Sequence, residues 1–289
     1  MPALGVYDSL TWGKQLIGQK VGPYSFLEQV GSGGMGVVYR ARDERLQRDV
    51  AIKLLSQSLT GQEEVRRRIL SEARAAAALN HPAIVTIYEA AEYEDKIFLV
   101  MEWLEGRNLR SMLYGSNDAR AVARIGAQLA DGLASAHAHG VVHGDVKPEN
   151  VIVLANGRVK LLDFGIARQQ AASDPSSETQ LEWSPSPGAG TLAYMSPEQI
   201  RGEKLDGRSD MFSAGIVLCE LALGRHPFPG PTNAALMTQI LHDPLPKLDT
   251  HQVPGELSRI LRKLLQKDPA ERYQSARDLY LDLNNLGRE

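Results

Sequence analysis

One cysteine, Cys219, stands among 289 residues, so no intrachain disulfide can form. A zinc site built on several thiolates is excluded with it. Excess charge of either sign is also lacking. Against 32 Lys plus Arg stand 35 Asp plus Glu, a formal net charge of −3. That balance argues against a chain whose main task is gripping nucleic acid, which usually needs a strongly basic domain. No run reaches the roughly 18 to 20 uncharged apolar residues that cross a bilayer. The best stretch, residues 211–223, is 13 residues long and contains Glu220. Residues 1–16 lack the basic start and apolar run of a secretory signal. The expectation is a soluble chain of a reducing compartment, the cytoplasm. What is present is ordinary globular composition, 43% hydrophobic and 23% charged.

Residues 1–22 are weakly patterned and read as an extension, a loose arm or an extra edge element. From Tyr24 the text changes. Residues 24–29, 36–42 and 49–55 read as short strands between turns, and 84–92 and 96–102 as two more. Between them, residues 63–79 carry Val65, Ile69, Ala73, Ala76 and Leu79 at helical spacing. One helix among five strands predicts a small, mostly antiparallel first domain over 23–104. Beyond it the pattern turns helical over 119–139, 209–223, 257–266 and 276–286, predicting a larger second domain over 105–289. Residues 169–190 are rich in Ser, Pro, Ala and Gly with almost no period, which marks a functional or disordered loop.

Five motifs carry chemistry. Gly31-Ser32-Gly33-Gly34-Met35-Gly36 is a G-x-G-x-x-G, a weak signal alone. A dinucleotide fold needs a helix to begin there. Here Val37-Val38-Tyr39-Arg40 is strand-like, so the loop joins two strands, either as a plain glycine-rich turn or as a flap over phosphates. Glycines let backbone N–H groups approach phosphate oxygens with no Cβ in the way. Val50-Ala51-Ile52-Lys53 follows, its lysine either a surface residue or one aimed into a cleft, with Glu72 on the next helix able to pair with it. Then come His143-Gly144-Asp145-Val146-Lys147-Pro148-Glu149-Asn150, Asp163-Phe164-Gly165 and Ser196-Pro197-Glu198.

In this order the motifs resemble the protein-kinase family, over more than 90% of the chain, and within it the bacterial (Hanks-type) serine/threonine kinases. The resemblance implies an α+β, bilobal kinase fold: a small β-rich N-lobe with one main helix and a larger, mostly helical C-lobe, with an activation segment over 163–198. It implies an ATP-dependent enzyme using Mg²⁺, with Mn²⁺ as a substitute. Gly31, Gly33 and Gly36 would cover the phosphates. Lys53 would contact the α- and β-phosphates and be held by Glu72. Asp163 and Asn150 would hold the metal, since oxygen ligands suit a hard cation. Asp145 would take or orient the proton of the attacking hydroxyl, and Lys147 would neutralise the γ-phosphate. Val38 and Ala51 would roof the adenine, Ile152 would floor it, Met101 would guard it, and Val30 would join the nucleotide-binding residues. Backbone groups of Glu102 and Leu104 would bond the base. Apolar pocket walls are also plain core, so both readings of Val38, Ala51 and Ile152 hold together.

Lys147 in Lys-Pro-Glu-Asn and Thr191 resemble the serine/threonine class, which makes protein Ser and Thr hydroxyls the implied substrates, the chain's own loop among them. Asp210 looks like the aspartate that fixes the catalytic-loop backbone, and Arg272 like the buried partner of Glu198. His143 and Phe164 would stack with Ala76 and Ile87, and Cys219 reads as inert core. One position departs: the arginine usual before the catalytic Asp is Gly144. Either the loop orders without phosphate, or its phosphorylation, expected within 173–186, recruits partners; Arg168 is a weak substitute cation. The competing readings are a nucleotide-binding pseudokinase or scaffold, motivated by Gly144, and a kinase-fold enzyme acting on a small molecule. Lys53, Asp145 and Asp163 are all present, against the first. The intact segment 190–198 stands against the second. Nucleic acid is not an expected partner, and no membrane segment is expected in this chain. The chain is expected to be cytoplasmic, alone or as part of a longer membrane-anchored protein.

Overall fold

The computed structural model describes residues 16–33, 36–55, 63–93, 96–113, 118–164, 192–244, 248 and 253–288. They form two compact units. The first takes in the described residues up to Ala78 together with Thr86–Leu104; the second comprises Leu79–Val85 and the chain from Glu105 on.

In the first unit, β1 (Lys20–Val21), β2 (Tyr24–Gly33), β3 (Gly36–Asp43), β4 (Arg48–Leu55), β5 (Ile87–Tyr93) and β6 (Lys96–Glu102) make an antiparallel sheet. Its order is β1-β2-β3-β4-β6-β5. Helix α1 (Glu63–Ala77) buries Ile69, Ala73 and Ala76. Because successive strand side chains alternate between faces, register fixes what each face carries. One row runs Tyr39–Ile52–Val100 and another Val37–Leu54–Phe98. With Tyr24, Phe26, Ala41 and Val50 these build the apolar core of the sheet. The opposite face then carries Val38–Lys53–Leu99 and Arg40–Ala51–Met101. Two register shifts interrupt β2, leaving Leu27 and Val30 as the extra residues, and both are exposed. A bulge re-aims a strand residue, and bulges gather near functional sites.

The second unit is mostly helical. Helix α2 (Ala119–Ala138) buries Val122, Ile125, Leu129, Leu133 and Ala136, the apolar face its spacing predicts. A short sheet of β7 (Gly106–Asn108), β8 (Val151–Leu154) and β9 (Val159–Leu161) follows, then α3 (Pro197–Ile200) and α4 (Gly207–Leu223). Helix α4 is buried from Ser209 through Leu221, as an element in the middle of a core must be. Helices α5 (Asn233–His242), α6 (Gly255–Leu264) and α7 (Ala276–Leu286) complete the unit. No helix among the described residues is long and apolar enough to cross a membrane.

Several boundaries differ from the sequence expectation. The strand expected from Ile84 begins at Ile87, and Ile84 instead bridges Leu161 in parallel. The strand expected over 24–29 runs on to Gly33, so Gly31 and Gly33 are themselves paired, with Val38 and Gly36. Lys20 and Val21, within the expected extension, form an edge strand. Helices α3 and α5 and strands β7, β8 and β9 carried no expectation.

Candidate active site

The second unit assembles one loop around Asp145. Lys147 Nζ donates to Asp145 Oδ2 at 2.7 Å. Asn150 Nδ2 donates to the Asp145 carbonyl at 2.8 Å and to its Oδ2 at 3.2 Å. The carboxylate is buried, which strengthens both contacts. The Asp145 N–H donates to His143 Nδ1 at 3.1 Å, so that nitrogen is an acceptor and the proton sits on Nε2. Nε2 then donates to the Leu162 carbonyl at 2.7 Å. Leu162 N in turn donates to the Asn150 carbonyl at 2.8 Å. These bonds tie Leu162, the residue before Asp163, to the loop at His143 and Asn150. The Asp163 backbone is left-handed, φ 48°, a conformation uncommon outside glycine but one that aspartate tolerates better than most residues. His143 and Phe164 pack ring on ring, centroids 4.7 Å apart, as expected; Ala76 and Ile87 are buried in the first unit.

Helix α4 holds this loop. Asp210 Oδ2 accepts from His143 N at 2.8 Å and Oδ1 from Gly144 N at 2.7 Å. His137 Nε2 lies 2.8 Å from the same Oδ2, a partner the sequence reading missed. Arg272 meets Glu198 in a fork, Nη1 to Oε1 at 2.7 Å and Nη2 to Oε2 at 2.9 Å. Burial alone would raise the Glu198 carboxyl, but the bonds from Arg272 and Ser209 outweigh it and hold it below the usual range.

A second cluster was also missed. Arg110 donates to Glu149 Oε1 at 2.7 Å, to Tyr194 Oη at 2.7 Å and to Glu220 Oε1 at 3.3 Å, while the Tyr194 hydroxyl bonds Glu220. Burial and Glu220 push the Tyr194 phenol well above its ordinary value. No spacing in the sequence links residues 110, 149, 194 and 220. Gln199 Nε2 donates to the Gly144 carbonyl at 2.7 Å. The signal Ser196-x-x-Gln199 foretells its helix cap but not that second bond.

The first unit carries the other predicted residues. Lys53 is buried on β4, opposite Val38 on one side and Leu99 on the other. Ala51 pairs Met101, so Val38, Ala51, Lys53 and Met101 share a face. Glu72 is half-buried on α1. Val30 sits at a bulge of β2. The strand into Leu104 ends at Glu102, whose N–H donates to the Thr86 carbonyl at 2.9 Å. A Cβ on Gly31 or Gly33 would meet nothing within 4 Å. Packing therefore does not require these two glycines, whereas close approach of a phosphate would. Gly36 differs: its Cβ would lie 2.0 Å from the Leu54 carbonyl oxygen, so strand contact demands it. For a metal, the donors Asn150 and Asp163 are hard oxygen ligands, and no cluster of three acidic, His or Cys ligands occurs among the described residues. Gly34, Met35, Gly165, Arg168, Thr191 and the hydroxyls of 173–186 lie outside the described residues.

The protein kinase domain model matches residues 24–280. Serine/threonine-protein kinase PknB of Mycolicibacterium smegmatis is 41% identical over 268 residues, 90% of this chain and 42% of that protein. PknD of Mycobacterium tuberculosis is 41% identical over 269 residues, 91% of this chain and 39% of that protein. A probable serine/threonine-protein kinase of Clostridium perfringens is 34% identical over 95% of this chain and 40% of its own length. The chain thus spans about two fifths of the curated relatives it matches. Among solved structures, the kinase domain of Mycobacterium tuberculosis PknI superposes with a TM-score of 0.70 at 25% identity, covering 93% of this chain and 97% of that one.

Proposed function

The chain belongs to the protein kinase family, and on that premise we propose that it transfers the γ-phosphoryl group of ATP to serine and threonine hydroxyls of proteins. The observation that carries this reading is the arrangement at Asp145, a buried carboxylate bonded by Lys147 and Asn150 on a loop that Asp210 fixes. Phosphoryl transfer asks a protein chiefly for position and charge. Asp145 Oδ2 accepts or orients the proton of the incoming hydroxyl. Lys147, on the same oxygen, sets its cation beside the transferred group. Asp163 and Asn150 would hold Mg²⁺, which would supply positive charge to offset the negative charge of the transferred group. Gly31 and Gly33 leave backbone room at the phosphates, and Gly36 keeps β3 against β4. Lys53, with Glu72 as its support, would take the α- and β-phosphates. Val38, Ala51 and Met101, on one face of the first unit's sheet, would meet the base. The Glu102 N–H is committed to Thr86, so the Glu102 carbonyl and Leu104 would bond it.

The serine/threonine class is supported by Lys147 and by the names of the relatives. Gly144 in place of arginine supports a non-RD enzyme, one whose catalytic loop does not grip a loop phosphate. Its own loop is a substrate in this reading, with sites in 173–186. A cytoplasmic setting fits the single cysteine. The test is transfer to a generic basic protein: Lys53→Met and Asp163→Ala should each abolish it while leaving the fold cooperative. Transfer retained in both would refute the reading.

A further inference from the structure

Gly144 is held on both of its peptide faces. Its backbone is left-handed, φ 71°, in open space where no neighbour enforces the turn. Its N–H donates to Asp210 Oδ1 at 2.7 Å, and its carbonyl accepts from Gln199 Nε2 at 2.7 Å. The next residue is Asp145. A glycine is the residue most free to leave such a conformation, so its anchors decide where Asp145 points.

Gln199 is itself fixed. The Ser196 N–H donates to Gln199 Oε1 at 2.9 Å, while Ser196 Oγ accepts from Gln199 N at 3.3 Å. Ser196 N is a donor, so the amide atom facing it must be oxygen. That turns the NH₂ group toward Gly144 and settles the amide orientation. Helix α3 is pinned in turn by the Glu198 fork to Arg272.

We propose that Gln199 is a positioning residue for phosphoryl transfer. Its amide clamps the Gly144 carbonyl from α3 while Asp210 clamps the N–H from α4, and together they aim Asp145. In a chain with no cation before Asp145, this clamp orders the catalytic loop with no phosphate required. The inference rests on the kinase reading above.

Gln199→Glu separates positioning from capping. The glutamate keeps an oxygen for Ser196 N–H, so the helix cap survives. It loses the donor and sets a carboxylate against the Gly144 carbonyl. The expected result is a kcat lower by about tenfold, the worth of one such hydrogen bond, with an unchanged KM for ATP. Acidification toward about pH 4.5, close to the ordinary glutamate value of about 4.3, should raise the ratio of variant to unsubstituted activity, because a protonated carboxyl regains an O–H donor. The ratio cancels His143, Asp145, Asp210 and His137, which both proteins share. Gln199→Met, which also loses the acceptor for Ser196 N–H but keeps the backbone bond to Ser196 Oγ, gives the stability cost of that half of the cap by thermal unfolding. A Gln199→Glu kcat within about twofold of the unsubstituted chain overturns the proposal. So does a loss that fails to recover on acidification, or one matched by the unfolding shift of Gln199→Met. Absence of transfer by the unsubstituted chain would instead refute the kinase reading, and this inference with it.

Discussion

Arg272 and Glu198, 74 residues apart, meet through two charge-assisted bonds of 2.7 and 2.9 Å with both side chains almost wholly buried. The pair closes its own hydrogen-bond account. Arg272 also donates to the carbonyls of Gln266, Arg208 and Lys267, and its guanidinium carbon lies 4.8 Å from the Phe212 ring centroid. Ser209 bonds the carboxylate at 2.7 Å.

Removing one member leaves the other charge buried and unpaired. Arg272→Met should therefore cost about 3–5 kcal/mol, read as a fall in unfolding midpoint of about 10 °C. The pH dependence has a definite sign. The folded Glu198 carboxyl lies below its ordinary value of 4.5, so its contribution is present above that pH and is lost on acidification below it. Glu198→Gln should flatten that acid limb in a pH series of unfolding midpoints.

Asp210 serves three donors, His143 N, Gly144 N and His137 Nε2. Asp210→Ala orphans two buried backbone N–H groups at about 1–3 kcal/mol each. Turnover and unfolding midpoint should fall together, in steady-state kinetics and calorimetry. Unaltered turnover would mean that α4 does not hold the loop.

The glycine motif divides into two chemistries. Gly36→Ala forces a Cβ to 2.0 Å from the Leu54 carbonyl oxygen, so β3 and β4 must part at a cost of about 1–3 kcal/mol. Gly31→Ala and Gly33→Ala enter open space and should leave stability within about 0.5 kcal/mol while raising the KM for ATP. Equal destabilisation by all three would contradict the division.

Much of this was legible because the chemistry is contiguous. His143 to Asn150 and Asp163 fall within one stretch of sequence, and their short-range bonds follow from it. The first sheet was legible by alternation and the long helices by period. The Arg272–Glu198 and Asp210 contacts were legible by resemblance alone, since nothing local joins residues so far apart. Helix α5 was missed because its pattern is weak, with only Leu236 and Ile240 buried. Ile84 reads as a strand residue by side chain, but its partner Leu161 lies far along the chain. The Gln199 bond and the Arg110 cluster depend on tertiary placement of exposed-type residues, for which sequence holds no period.

Cys219 is fully buried, and burial pushes its thiol up to about 12. The thiolate is the reactive form, so iodoacetamide at about pH 8 should leave the native chain unlabelled and label it fully in denaturant. As the only cysteine, it reports opening of the second unit without further engineering. Fast labelling under native conditions would contradict the packing of α4.

The most direct test is incubation with Mg²⁺ and γ-labelled ATP, beside Asp145→Asn, with mass spectrometry of labelled peptides. The account predicts label on serine or threonine with the unsubstituted chain, and a loss of orders of magnitude with Asp145→Asn at nearly unchanged ATP binding. Near-full transfer by Asp145→Asn, or ATP binding with no transfer to any protein by the unsubstituted chain, would contradict it.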